Sequence, residues 1–265
     1  MTAPEVYPNA PAVLVAVEVR HPHSDLLSGG EQGEIKRALT DLYPISQPLA
    51  VKNIIQGPSA PATVEDRQIP RYAARDLMTA VTFNEQAIAL ETTSHRDFPH
   101  LMSLLRVAVE ARHVVRPLEA LMRVGLRYID EIRVPDLPGD LSDWSQWVDC
   151  SLIGPTEIAS DLGLRLEQSH GIAAFDRGEG RKLVTRFGPA EGYAIAPGGL
   201  LQRPSPPPGP FFLFDIDSYW VPVGAVPPFD VDEAIRIATD LHEPVSSLFE
   251  RMITPRLRDE VLRDA

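Results

Sequence analysis

Hydrophobic and polar residues alternate most regularly along two stretches of the chain. In Leu121–Val134, Met122, Val124, Leu126, Tyr128 and Ile132 share one face of an extended strand, with Asp130 the single polar interruption. Arg123, Gly125 and Arg127 lie on the other face. In Phe211–Val223, Phe212, Phe214, Ile216 and Trp220 face one way, and Leu213, Asp215, Asp217 and Tyr219 the other. Pro11–Arg20 repeats the pattern through Val13, Val15, Val17 and Val19. Two further segments carry the helical period. Phe98, Leu101, Met102, Leu105, Ala108 and Val109 form a stripe after a cap at Asp97, with Pro99 in the first turn and Pro117 beyond the end. Ala234, Ile235, Ala238, Leu241, Val245, Leu248, Phe249 and Met252 form a second stripe, capped by Asp230 or Asp232 and kinked or restarted at Pro244. Thr254-Pro255 reads as the cap and first position of a last short helix.

Between these lie weaker signals. Gly33–Tyr43 predicts a short helix stopped by Pro44, and Pro48–Ile55 a strand followed by an irregular connection over Gln56–Pro70. Arg75–Phe83 and Ala87–Ser94 pair around a tight turn at Asn84-Glu85. Asp136–Asp149 is polar and turn-rich. Strand character returns at Gly163–Gln168, Gly171–Phe175, Lys182–Phe187 and Gly192–Ile195, and Ala196–Pro210 is a stiff, exposed Pro/Gly-rich connection. The pattern predicts an α+β protein, mainly antiparallel sheet covered by the mid-chain helix and a C-terminal helical region. It further predicts two subdomains rather than one continuous sheet, residues 1–135 and 136–265, joined near 136–150.

Composition narrows the function classes. Hydrophobic residues make up 44% of the chain, enough for a substantial core. A formal net charge of −12 disfavours general nucleic-acid binding and attachment to anionic membranes. The start of the chain lacks a basic n-region, and no run reaches membrane-spanning length, so neither a signal peptide nor a spanning helix is expected. Cys150 is the only cysteine, which excludes an intramolecular disulfide and points to the cytoplasm; it reads as a small buried hydrophobe.

Candidate chemistry is sparse. Leu27–Gln32, LSGGEQ, resembles the signature loop of ABC-transporter ATPases, but no phosphate-binding GxxxxGK[ST] loop accompanies it, so it reads as a Gly-rich turn before a helix. His21 and His23 flank a proline with no third ligand nearby. His95, Asp97 and His100 could form an acid–base or metal cluster, though exposed loop histidines are the commoner case. Trp144 and Trp147 either stack a ligand or fold back onto the core. No metal site or cofactor is expected. The remaining constellation is Arg123 and Arg127 with Asp215 and Asp217, joined by Glu91. Placed on one sheet face, these residues either neutralise one another as an ion-pair network or form a pocket in which the arginines hold an anionic ligand. Gly125, between the two arginines, clears space for a group to approach.

Three segments carry a resemblance: LETTSH at Leu90–His95, RVGLRYIDEI at Arg123–Ile132, and LFERMITPRLRDEV at Leu248–Val261. Together, and in this order, they resemble a sporadically distributed family of prokaryotic proteins of similar length with LETT, RxGLRYIxxI and C-terminal FxxxITxxLR motifs. This chain departs from that pattern at His95, where an aromatic residue is usual, at Asp130, where Asn is usual, and at Pro255. The resemblance implies a family and no particular reaction; a patchy distribution suits defence or toxin–antitoxin loci. Three functions follow as expectations. The first is a non-enzymatic binding module for a protein partner, basic to suit the acidic charge. The second is a protein binding a small anionic ligand or nucleotide through Arg123 and Arg127. The third is a hydrolase or transferase using Asp215 and Asp217, with Glu91 as a further acid–base or metal group.

Overall fold

The alternating segments assemble into one antiparallel sheet of nine strands among the described residues. The computed structural model describes residues 5–55, 63–135, 141–154, 162–164 and 169–264. In chain order the elements are β1 (Ala12–Arg20), α1 (Gly29–Leu39), β2 (Ile45–Ser46), β3 (Leu49–Ile55), β4 (Thr63–Ile69), β5 (Arg71–Ala73), β6 (Thr79–Phe83), β7 (Ala87–Thr92), α2 (Phe98–Val115), β8 (Arg123–Ile132), β9 (Gly171–Gly178), β10 (Arg181–Gly192), β11 (Gly209–Trp220), α3 (Val231–Met252) and α4 (Pro255–Leu257). The sheet order is β2-β5-β6-β7-β1-β8-β11-β10-β9, and β3 and β4 pair separately. The α+β class read from the sequence is the class observed.

The two patterned stretches sit side by side at its centre. β8 pairs with β1 on one side, Leu126 opposite Val17, and with β11 on the other, Tyr128 opposite Ile216. The β8–β11 ladder joins strands from both sides of residues 136–150, where the sequence pattern placed a subdomain boundary, in one sheet. Both strands alternate hydrophobic and charged residues, so each needs the same core face and finds it beside the other. Val15, Val17, Val19, Leu126, Phe212, Phe214 and Ile216 pack into one core with Leu105, Ala108, Ile237, Ala238 and Leu241 of α2 and α3. Each of the Val, Leu, Ile and Phe side chains, fully buried, stabilises the fold by about 1.5–3 kcal/mol relative to exposure. No described helix is long and apolar enough to cross a membrane.

The helix ends follow their capping residues. Asp97 accepts from the His100 amide at 2.7 Å and starts α2, Asp230 starts α3, and Thr254 caps α4 with Pro255 at its first position. Pro244 lies within α3, which runs on through it as one helix. The first helix corrects the expected start at Gly33. Ser28 and Glu31 close a capping box, so the LSGGEQ segment is itself the cap and opening turn of α1. Glu31 also receives Arg116 at 2.7 and 2.6 Å, tying α1 to the end of α2. These hydrogen bonds, Arg116 first, hold the Glu31 carboxyl down at about 2. Ser28→Ala is expected to lower stability by about 1 kcal/mol in urea unfolding. An unchanged midpoint would mean that the Arg116 pairing alone fixes this end.

Other boundaries differ for local reasons. Part of the expected irregular stretch Gln56–Pro70 is strand β4, laddered to β3 from Leu49↔Ile69 to Ile55↔Thr63; residues 56–62 lie outside the described residues. The strand expected at Gly163–Gln168 falls mostly on residues 165–168, also outside them. β10 ends at Gly192, whose φ of +90° turns the chain before the strand expected at Gly192–Ile195. The segment after it is tied down by hydrogen bonds: Ala194 N–H donates to Glu131, Gln202 N–H to the Leu77 carbonyl, Gln47 to the Leu200 carbonyl, Thr93 to the Gln202 carbonyl and Arg203 to Glu131. Trp144 and Trp147 fold back onto the core, both 2% exposed, Trp144 packing against Phe212 at 5.4 Å. Cys150 is exposed, against the expectation of a buried cysteine, because Leu152 and Ile153 take the interior positions of that turn.

Candidate functional site

The face of the sheet opposite the core carries the charged residues that the alternation pointed to. Arg123, Arg127, Asp215 and Asp217 all lie there on β8 and β11, with Asp217 directly opposite Arg127 in register. Arg127 grips Asp215 with two hydrogen bonds of 2.7 Å, the bidentate geometry that a planar guanidinium favours. Arg186 of β10 approaches the same carboxylate at 3.4 Å. Arg123 leans over Gly125, where a Cβ would meet its guanidinium at 2.6 Å, and reaches Glu18 at 2.7 Å and Asp217 at 3.7 Å. It also lies 4.8 Å above the Tyr219 ring. The space that Gly125 clears is therefore filled by Arg123 itself. Burial raises the Asp217 carboxyl, and the charges of Arg123 and Arg127 work against that rise. Glu91 shares this face on β7, separated from Arg127 by Ala16 of β1, and its charge acts on Arg71. Both arginines thus hold carboxylates of this chain.

The core face holds a different feature. A cavity of about 480 Å³ opens between β8, the start of α2, the middle of α3 and the segment before β1. Its position follows from local irregularities. Opposite Asp130 the β1–β8 register shifts between Ala12 and Leu14, leaving Val13 as an extra residue and the small Ala12 facing Asp130. Above this gap Phe98 stacks on His242 with ring centroids 3.9 Å apart, and His95 meets Tyr128 edge-on at 5.3 Å. Tyr128 and His95 Nε2 lie 3.4 Å apart, and His242 is 6.0 Å from the Tyr128 ring. Phe249, Ile216 and Val245 complete apolar walls. At the mouth, Tyr7 donates to Glu250 at 2.8 Å, and Arg258 donates to the Tyr7 hydroxyl and to Glu250. Burial, the largest influence, pushes the Tyr7 phenol up to about 12.

Asp130 is 4% exposed and lines this cavity, and among the described residues its carboxyl has no hydrogen-bond or ion-pair partner. Burial, helped by the charge of Asp215 across the sheet, pushes that carboxyl up to about 8. Burial likewise holds both histidines neutral, His95 and His242 each drawn down to about 4. The cavity therefore combines aromatic walls, two neutral imidazoles and a carboxyl that changes charge near neutral pH. Such a group can exchange a proton or meet a positive charge.

Part of this site was visible in the sequence. His95 and Asp97 were candidates; both line the cavity, and Asp97 also serves as the α2 cap. Asp130 was the one polar residue on an apolar face. His242 was missed, although it lies within the α3 stripe between Ala238 and Val245. His21 is buried with its Nδ1 at 2.7 Å from the Pro22 carbonyl while His23 is exposed, so the pair does not converge. Among the described residues no three His, Cys, Asp or Glu side chains are grouped to hold a metal ion. No protein-family model matches the chain, and no curated protein is significantly similar to it.

Proposed function

We propose that this is a binding protein for a small organic molecule, with its site in the cavity beside Asp130. The observation that carries the reading is a buried carboxyl with no partner among the described residues, opening on an aromatic-walled cavity of ligand size. All three segments that resemble the prokaryotic family reach this cavity, through His95, through Tyr128 and Asp130, and through Phe249 and Glu250, with His95 and Asp130 the positions at which this chain departs from that pattern. The reading that Arg123 and Arg127 hold an anionic ligand would require the ligand to displace Asp215, Glu18 and Asp217 from them.

The test is a fragment panel screened by ligand-detected NMR. Fragments that bind the wild type are expected to be lost in Ser246→Trp, which fills the cavity from α3, and retained in Arg127→Ala. Loss in Arg127→Ala with retention in Ser246→Trp would place binding on the charged face instead. A second reading, a docking role toward a protein partner, draws support from β9. It is an edge strand among the described residues, with Ile172 69% and Phe175 49% exposed.

A further inference from the structure

Resting on the reading of the Asp130 cavity as the binding site, we infer that its ligand is an organic ammonium ion: a protonated primary or secondary amine on an apolar, aromatic-sized body. Among the described residues three carboxyl groups are buried, those of Asp130, Glu131 and Asp215. The chain supplies arginines to two of them. Glu131 receives Arg133 and Arg203, and Asp215 receives Arg127 and Arg186. Asp130 alone faces a cavity with no cation among the described residues against it. Burial holds this carboxyl protonated up to about pH 8, so an ammonium ion seated against it would supply the positive partner that its ionised form requires, in a space that no described residue fills.

The surroundings fit the same chemistry. An ammonium group carries several N–H donors and no acceptor. Neutral His95 and His242 carry ring nitrogens, and Tyr128 an oxygen, that can act as acceptors, and all three line the same cavity as the carboxyl. The Tyr128, Phe98 and Phe249 rings line the cavity, and aromatic rings attract a cation with their faces and cover an apolar body. Among the charged residues lining the cavity, Glu5, Asp97, Asp130 and Glu250 face Arg96 alone. Glu5 and Glu250 are themselves paired, with Arg263 and Arg258, so the charge that decides is that of Asp130. An anion entering here would meet a buried carboxyl instead of a buried cation. A metal ion would find no set of three His, Cys, Asp or Glu ligands among the described residues.

Benzylamine, benzyl alcohol and benzoate separate the possibilities, each titrated by calorimetry at pH 7.5 into the wild type and into Asp130→Asn. In the wild type benzylamine is expected to bind at least about tenfold more tightly than benzyl alcohol, the scale of one charge-assisted hydrogen bond in a dry site. In Asp130→Asn that advantage is expected to fall below about threefold, with benzyl alcohol little changed. Comparison of the wild type with itself, amine against alcohol, stands even if the variant does not fold. Equal binding of amine and alcohol, or tighter binding of benzoate, overturns the ammonium assignment and leaves the cavity as a binding site. If none of the three binds and the fragment panel also finds nothing lost on Ser246→Trp, both readings fall.

Discussion

Asp130→Asn is expected to be more stable than the wild type by roughly 1–3 kcal/mol at pH 8, and to lose most of that advantage at pH 4.5. The sign follows from proton binding. The carboxyl titrates near 8 in the folded protein because burial disfavours its charge, and from 3.8 when exposed. Between those values the folded chain holds a proton that the unfolded chain has released. Wild-type stability therefore falls as pH rises from about 4 to 8, and the penalty vanishes below the unfolded value. Asn carries no such dependence, and its own unsatisfied amide offsets part of the gain. His95 and His242 slope the other way. Held near 4 against an ordinary 6.5, they favour the fold above pH 6.5, and that contribution is lost as pH falls through 4. They are present in both proteins and cancel in the difference. Urea unfolding of the pair at the two pH values is the check; a difference that does not change with pH would mean that Asp130 is solvated or paired.

Glu131→Ala is expected to act in the opposite direction, costing roughly 3–5 kcal/mol, because it strands buried positive charge. The Glu131 side chain is 1% exposed and accepts from Arg133 at 2.8 Å, from Arg203 at 3.3 Å and from the Ala194 amide at 2.8 Å. Arg203 is itself only 5% exposed, and its Nη1 is buried without a partner. Without Glu131, that guanidinium must stay buried unpaired or pull the Pro-rich connection away from the sheet. Urea unfolding together with limited proteolysis should therefore show a lowered midpoint and faster cleavage between residues 193 and 208. A loss under about 1 kcal/mol with unchanged proteolysis would show that solvent reaches the cluster.

The sequence exposed the strands of the sheet centre because each needs only its own alternation: Val15 to Val19, Val124 to Tyr128 and Phe212 to Ile216 give a period of two without reference to a partner. Caps were equally legible, since Asp97, Asp230 and Thr254 act within three residues of themselves. The charged face was legible as a set, because arginines and aspartates at alternate positions of two strands require one another once the strands pair. The cavity was not. It depends on a register shift at Val13, on the packing of α3 against β8 and β11, and on the stacking of Phe98 over His242, residues far apart in sequence. Its signals were present as exceptions: Asp130 on the apolar face of β8 and His242 in the apolar stripe of α3. A polar group set where the pattern demands a hydrophobic one marks a place where packing has been given up. Continuity of the sheet was hidden for a related reason, because the polar segment 136–149 resembles a linker while its two tryptophans serve the core.

The most direct measurement is a titration of benzylamine into isotopically labelled protein, followed on the ring signals of His95, His242 and Tyr128 and on the guanidinium signals of Arg123 and Arg127. The expected result is a single saturating shift of the three rings with the guanidinium signals unmoved. Shifts confined to Arg123 and Arg127, with the three rings silent, would contradict the placement of the site beside Asp130.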